Sequence, residues 1–236
     1  MKIKFVLFDL DGTLLPMDQD VFTKTYFGLL AQKLEPFGYE PKALINAVWA
    51  GTSAMIKNTG DKTNEQVFWD KFAEIFGEQS RKDEIHFEKF YIEDFCKVKV
   101  SSGFDTNAQK VVDKVKEKGL KLALATNPIF PRIATEQRIS WAGLNINDFE
   151  LITTYENSNY CKPNLYYYKQ ILTKLGVNPE ECLMIGNDVT EDMVAEKLGM
   201  KVFLLTNCLL NKNEEDISKY PNGDFDKLLH FIDGLT

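Results

Sequence analysis

The sequence contains very little histidine: His86 and His230 are the only two among 236 residues, and neither lies near a candidate motif. It also has no apolar run approaching the ~18 residues that a membrane span needs. The first apolar run, Phe5–Phe8, meets Asp9 at once, which does not fit a secretory signal. Histidine-based catalysis, a zinc site and a membrane partner are therefore not expected.

Cysteine is also sparse, with four residues at positions 96, 161, 182 and 208 and no C-x-x-C pair. Four widely spaced cysteines are most simply explained as free thiols in a reducing compartment, so we expect a cytoplasmic protein. Cys182 and Cys208 lie in or beside apolar runs, which predicts that both are small core residues.

Positive charge is in deficit, because 28 Lys and Arg face 35 Asp and Glu, for a net charge of −7. Nucleic acids and anionic membranes bind clustered basic residues, so no nucleic-acid partner is expected. An acidic protein that handles phosphate must supply positive charge locally, through a metal, a lysine or backbone N–H groups. The length allows one large or two modest domains, and the sequence says nothing about oligomeric state.

Two kinds of pattern divide the chain. Residues 16–100 show aromatic and aliphatic side chains at helical spacing, with Pro41 suited to a helix start and Thr63-x-x-Gln66 resembling a capping box before a helix that ends at Gly77. From about residue 105, helices alternate with strands, the last core strand being Val202–Leu205, and a docked helix ends the chain. This predicts an α/β core (1–15 and 101–236) with a parallel sheet flanked by helices, interrupted by an all-α helical insertion (16–100).

Each predicted strand ends in polar residues, and ligands of parallel α/β sheets bind at the carboxyl ends of strands. These residues are Asp9, Asp11, Gly12 and Thr13 after the first strand, Thr126 and Asn127 after the second, Lys162 before a helix, and Asn187, Asp188 and Asp192 after the strand at 182–185.

This set suits phosphoryl transfer, which needs a nucleophile, positive charge around the phosphoryl oxygens and an acid for the leaving group. Asp9 can be the nucleophile and Asp11, two residues along the strand and on the same side, the acid and base. Three acids at one edge, Asp9, Asp11 and Asp188, would repel one another without a cation, and oxygen ligands favour Mg²⁺.

With these motifs in order, the chain resembles the haloacid dehalogenase superfamily of phosphohydrolases. The nucleophile motif is Asp9-Leu10-Asp11-Gly12-Thr13-Leu14, the second is Thr126-Asn127, the third is Lys162-Pro163, and the fourth is Gly186-Asn187-Asp188 with Asp192. The resemblance implies a Rossmann-like core with a helical cap that opens and closes over the site.

The resemblance also implies residue roles. Asp9 would be phosphorylated and Asp11 would be the acid and base, while Thr126, Asn127 and Lys162 would bind the phosphoryl group. Mg²⁺ would be held by the side chains of Asp9 and Asp188 and the main-chain carbonyl of Asp11. Asp192 would orient Lys162 or metal-bound water, and Gly12, Thr13 and Asn187 are further supporting residues of the site. The expected substrate is a small phosphorylated metabolite.

Three alternatives stay open from the sequence. A sugar-phosphate mutase would share the core and the helical cap. A phosphonate-cleaving relative would use a cap lysine, for which Lys24, Lys33 and Lys57 are available. A non-catalytic scaffold would be expected to lose Asp9, Asp11 or Lys162, and the sequence retains all three.

Overall fold

One parallel sheet organises the computed structural model, which describes residues 2–235. Its strands are β1 (Phe5–Phe8), β2 (Lys121–Leu124), β3 (Phe149–Ile152), β4 (Cys182–Gly186), β5 (Lys201–Leu205) and β6 (Asn222–Gly223). In space the order is β3-β2-β1-β4-β5-β6, and every pairing is parallel. The predicted α/β, Rossmann-like class is confirmed.

Alternate side chains of β1 pack into two different hydrophobic cores, one on each face of the sheet. Val6 and Phe8 join one core, whereas Phe5 and Leu7 join the other. A parallel sheet is covered by helices on both faces, which explains why all four residues are apolar and buried. The register brings Asp9 to the carboxyl edge, where its N–H donates to the Ile185 carbonyl at 2.9 Å.

The predicted insertion, residues 16–100, contains four α-helices within the described residues: α1 (Gln19–Leu34), α2 (Pro41–Ile56), α3 (Asn64–Phe76) and α4 (Glu84–Glu93). The predicted start at Pro41 and the capping box of Thr63 and Gln66 are both present. The inserted stretch is thus helical, as expected. Its two connections to the core run side by side, with Gly103 N–H donating to the Pro16 carbonyl at 2.7 Å. The boundaries at 15/16 and 100/101 stay a prediction.

The remaining helices cover the sheet: α5 (Thr106–Glu117), α6 (Arg132–Trp141), α7 (Leu165–Leu175) and α8 (Phe225–Asp233). The last of these is the expected docked helix, which buries Phe225, Leu228 and Ile232. Within residues 2–235, no helix combines the length and the apolarity needed to cross a bilayer.

Three details differ from the sequence predictions. The sheet continues past β5, because β6 pairs with it, and this two-residue Asn-Gly strand carries no apolar signal. The helix expected around Val194 and Leu198 is a 3-10 helix, Met193–Leu198. Cys208 is only partly buried and lines a cavity, so its assignment as a core residue is wrong, whereas Cys182 is fully buried.

Candidate active site

The polar residues that follow β1, β2 and β4 meet at the carboxyl edge of the sheet, beneath the inserted helices. They line one cavity of about 740 Å³, and from the predicted set these are Asp9, Asp11, Thr126, Asn127, Asn187, Asp188 and Asp192. The other predicted residues, Gly12, Thr13 and Lys162, lie directly behind this lining and contact it.

Lys162 bridges two acids of the site. Its Nζ donates to Asp9 Oδ1 at 2.9 Å and to Asp192 Oδ1 at 2.6 Å, and the side chain is almost fully buried. Burial alone would lower the pKa of Lys162, but the carboxylates of Asp192 and Asp9 outweigh it and hold the pKa well above the usual value. The lysine therefore stays charged and offers fixed positive charge beside Asp9.

Asp188 and Asp192 form a compact turn after β4. Asp188 N–H donates to Asp192 Oδ2 at 3.0 Å, while Asp188 Oδ1 accepts from the N–H groups of Thr190 and Glu191 at 2.8 and 2.9 Å. A Cβ at Gly186 would lie 2.1 Å from Asp192 Oδ2, so the close approach of this carboxylate requires glycine at the end of β4.

Thr13 joins the first motif to the fourth. Its Oγ1 lies 3.1 Å from Asp9 Oδ2 and 2.9 Å from Asn187 Oδ1, and its single proton can be donated to either. Gly12, with φ of 86°, makes the intervening turn, and a Cβ there would lie 2.4 Å from Asn187 Nδ2. The glycine is needed for both reasons, conformation and close approach.

Thr126 and Asn127 form the end of β2. The Thr126 carbonyl accepts from Tyr167 Oη at 2.9 Å and from Thr153 Oγ1 at 2.7 Å, which fixes the backbone. Asn127 Nδ2 donates to Glu191 Oε2 at 3.1 Å. Glu191 was not predicted, although it lines the cavity. Burial raises its pKa to about 7, in spite of the nearby Lys162 charge.

Arg138 on α6 is the second residue that sequence reasoning missed. It is 1% exposed and donates through Nη1 to Asp11 Oδ2, while its Nε donates to the Ala134 carbonyl at 3.3 Å. Burial raises the pKa of Asp11 even though the Arg138 charge lowers it. The available signal was spacing: Arg138 follows Ala134 by one helical turn, on the buried stripe of α6.

A divalent ion is the remaining part of the predicted site. Within residues 2–235, no three His, Cys, Asp or Glu side chains are grouped so that they could hold a metal alone. Mg²⁺ needs fewer, because it usually keeps several waters and takes one or two carboxylates together with substrate phosphate. Asp9 and Asp188 both line the cavity, and no donor within the described residues binds Asp188 Oδ2. The donor set therefore fits Mg²⁺.

A model of the haloacid dehalogenase-like hydrolase family matches residues 3–207 of this chain. The chain belongs to that family. YhcW of Bacillus subtilis (strain 168), which carries the name of a phosphatase, is 27% identical over 208 residues, covering 87% of this chain and 84% of YhcW. The phosphoglycolate phosphatase of Aquifex aeolicus is 25% identical over 206 residues, covering 86% and 84%.

Among solved structures, YfnB of Bacillus subtilis was crystallised with magnesium bound and shows interdomain movement. It superposes with a TM-score of 0.57 at 15% identity and covers 98% of this chain and 99% of its own, which supports the fold. The family match, with the phosphatase names of both sequence relatives, confirms the predicted family and the predicted class of enzyme, a phosphatase.

Proposed function

We propose that the protein is a Mg²⁺-dependent phosphatase that hydrolyses a small phosphorylated metabolite through an aspartyl-phosphate on Asp9. The observation that carries the proposal is the buried Lys162, whose Nζ bridges Asp9 and Asp192. It puts a fixed positive charge beside one particular carboxylate, and that is what a phosphoryl acceptor at Asp9 needs.

In the first step, an oxygen of Asp9 attacks phosphorus, and the bond from phosphorus to the leaving-group oxygen breaks. The leaving oxygen takes a proton from Asp11. The Oδ1 atom of Asp11 is buried and has no partner within the described residues, so it is available to the leaving group. Thr126 and Asn127, at the end of β2, line the same cavity and bind the equatorial phosphoryl oxygens together with Lys162.

In the second step, a water molecule attacks the phosphorus of the aspartyl-phosphate and gives a proton to Asp11. The bond between phosphorus and the Asp9 oxygen breaks, which releases inorganic phosphate and restores both carboxyl groups. Mg²⁺, held by Asp9, Asp188 and the Asp11 carbonyl, would neutralise charge on the phosphoryl oxygens.

The test is phosphate release from a panel of phosphomonoesters, with Mg²⁺ and with EDTA, for the wild type and for Asp9→Asn. We expect release that requires Mg²⁺ and is lost in Asp9→Asn, while this variant still unfolds cooperatively because Asp192 continues to pair with Lys162. Asp226→Asn, at an exposed position on α8, is the matched control and should behave as the wild type. Near-normal turnover by Asp9→Asn would rule out the nucleophile, and an isomerised sugar phosphate without free phosphate would indicate a mutase.

A further inference from the structure

The cavity above the acids has an aromatic wall. Eight aromatic side chains of the inserted helices line it, and they are Phe22, Tyr26, Phe27, Trp49, Phe68, Trp69, Phe87 and Tyr91. Phe130 and Tyr155 add two more from the core side. Cavities of this size accept whole small-molecule ligands, and apolar walls select apolar ligand surface.

Three hydroxyl groups of this wall already have hydrogen-bond partners within the protein. Tyr26 Oη and Tyr91 Oη lie 2.9 Å apart and hydrogen-bond to each other, and Thr52 Oγ1 donates to the Val48 carbonyl at 2.9 Å. The wall therefore offers mainly ring faces and hydrocarbon, and the Nε1–H group of Trp69, which has no partner within the described residues, is a free buried donor in it. Such a surface suits a flat ring better than a polyhydroxylated sugar, whose hydroxyls would lose water without gaining partners.

Trp49 is the exposed member of the wall. It lies on α2, is 50% exposed and packs against Phe27 with ring centroids 5.3 Å apart at an angle of 47°. A large indole surface left in water inside a cleft gains free energy when another ring covers it. Ile56, on the same helix and 47% exposed, extends this uncovered apolar surface.

Positive charge is scarce in the same lining. Among the lining residues that the structure describes, Lys212 is the only Lys, Arg or His, and it lies on the exposed loop after β5. Lys162 and Arg138, buried behind the lining, are paired with Asp9, Asp192 and Asp11. A second anionic group on the substrate would meet acids at this edge and one exposed lysine.

We infer that the preferred substrate is the phosphate monoester of an uncharged, flat aromatic or heteroaromatic alcohol, and that the site disfavours esters carrying a second anion. This inference rests on the proposed phosphatase function, and it names the class of leaving group that the cleft accepts. The ring lies against Trp49 and its aromatic neighbours, while the ester oxygen points to Asp11.

The test compares kcat/KM for benzyl phosphate, ethyl phosphate and phosphoglycolate with Mg²⁺. All three are esters of primary alcohols, so differences report the leaving-group pocket more than bond strength. We expect benzyl phosphate to exceed ethyl phosphate by about tenfold or more, the usual scale for covering an aromatic ring, and phosphoglycolate to be the poorest. Equal rates, or preference for phosphoglycolate, would overturn the inference and leave the phosphatase proposal intact. No release from any ester would overturn both.

Two variants sharpen the result. Trp49→Leu should lower kcat/KM for benzyl phosphate several-fold more than for ethyl phosphate. Phe37→Leu is the matched control, because Phe37 is 46% exposed in the same helical insertion but stacks on His86, outside the cleft, and it should leave the ratio unchanged. If Trp49→Leu changed the two esters alike, or if Lys212→Gln reduced turnover of the preferred ester, the substrate class would be wrong.

Discussion

The guanidinium of Arg138 holds Asp11, the proposed acid and base, from beneath the cavity. The ion pair involves Asp11 Oδ2, and the arginine is anchored on its own helix through the Ala134 carbonyl and Thr135 Oγ1. The guanidinium also lies over the Phe130 ring, 4.6 Å from its centroid. Asp11 is therefore fixed through one oxygen while the other remains available to substrate.

We predict strong energetic coupling within this pair. Removing one member of a buried pair leaves an uncompensated charge, so Arg138→Met should lower the free energy of unfolding by about 3–5 kcal/mol. Arg138→Met should cost less stability when Asp11 is already replaced by Asn. A double-mutant cycle, with urea unfolding of the wild type, both single variants and the double variant, should give a coupling energy of about 1–3 kcal/mol.

The control cycle uses Arg132 and Glu136, an exposed pair on the same helix at 2.5 Å. Its coupling should be about 0.5 kcal/mol or less. Equal coupling energies in the two cycles would mean that the Arg138–Asp11 pair stabilises the fold no more than an exposed ion pair does.

The contact of Arg138 with Asp11 could not be predicted from the sequence, whereas other site residues could. Asp9, Asp188 and Lys162 could be found because each follows a readable strand or precedes a readable helix, and parallel topology brings those points to one edge. Arg138 lies inside α6, far along the chain from Asp11, and a lone arginine in a helix usually faces water. Only the packing of α6 against the first loop determines its partner.

The same limit applies to smaller elements. The capping box at Thr63 and the start of α2 at Pro41 follow from local chemistry, so they could be read directly. The strand Asn222–Gly223 forms through the exposed backbone edge of β5, which a side-chain pattern does not encode. Glu191 is partly buried and contacts Asn127, which is distant in sequence, and its sequence neighbourhood does not distinguish it from an exposed helix acid.

We predict that Gly12→Ala is much more damaging than Gly38→Ala. Both glycines have positive φ, 86° and 92°, so both substitutions carry a backbone cost of about 1–2 kcal/mol. A Cβ at Gly12 also meets Asn187 at 2.4 Å, whereas a Cβ at Gly38 meets nothing within 4 Å. Gly12→Ala should therefore lower the free energy of unfolding further, by about 1–3 kcal/mol, and reduce phosphate release. Equal stability loss in the two variants would show that the Asn187 side chain can move away from the new methyl group without lowering the free energy of unfolding.

For Asp188 we predict that losing the carboxylate charge affects Mg²⁺ dependence, whereas losing the hydrogen-bond acceptor affects stability. Asp188→Asn keeps an oxygen that can accept from Thr190 and Glu191, so its melting temperature should stay near that of the wild type. It lacks the carboxylate that we propose as a Mg²⁺ ligand, so the Mg²⁺ concentration for half-maximal activity should rise about tenfold or more. Asp188→Ala should show the same metal defect together with a loss of about 1 kcal/mol of stability. An unchanged Mg²⁺ titration in Asp188→Asn would assign the residue to capping alone.

The final prediction concerns Asp70 on α3, which accepts from Lys62 Nζ at 2.6 Å and Arg81 Nη2 at 2.7 Å. The hydrogen bonds from Lys62 and Arg81 hold the pKa of Asp70 below its usual value. For a carboxyl whose folded pKa is depressed, the stabilisation is present above the unfolded value, near 3.9, and disappears as pH falls through the folded pKa.

Asp70→Asn should therefore reduce the free energy of unfolding at pH 7, by about 0.5–1 kcal/mol because all three side chains are well exposed. The deficit should shrink in 1 M NaCl, where the Debye length is about 3 Å, and as pH is lowered towards 3.5. Asp113→Asn on α5 is the control and should show a much smaller dependence, because within residues 2–235 this aspartate accepts only from the neutral Gln109 amide. If the loss of stability in Asp70→Asn did not change with salt or pH, the asparagine would be disturbing packing, and the charge of Asp70 would not stabilise the fold.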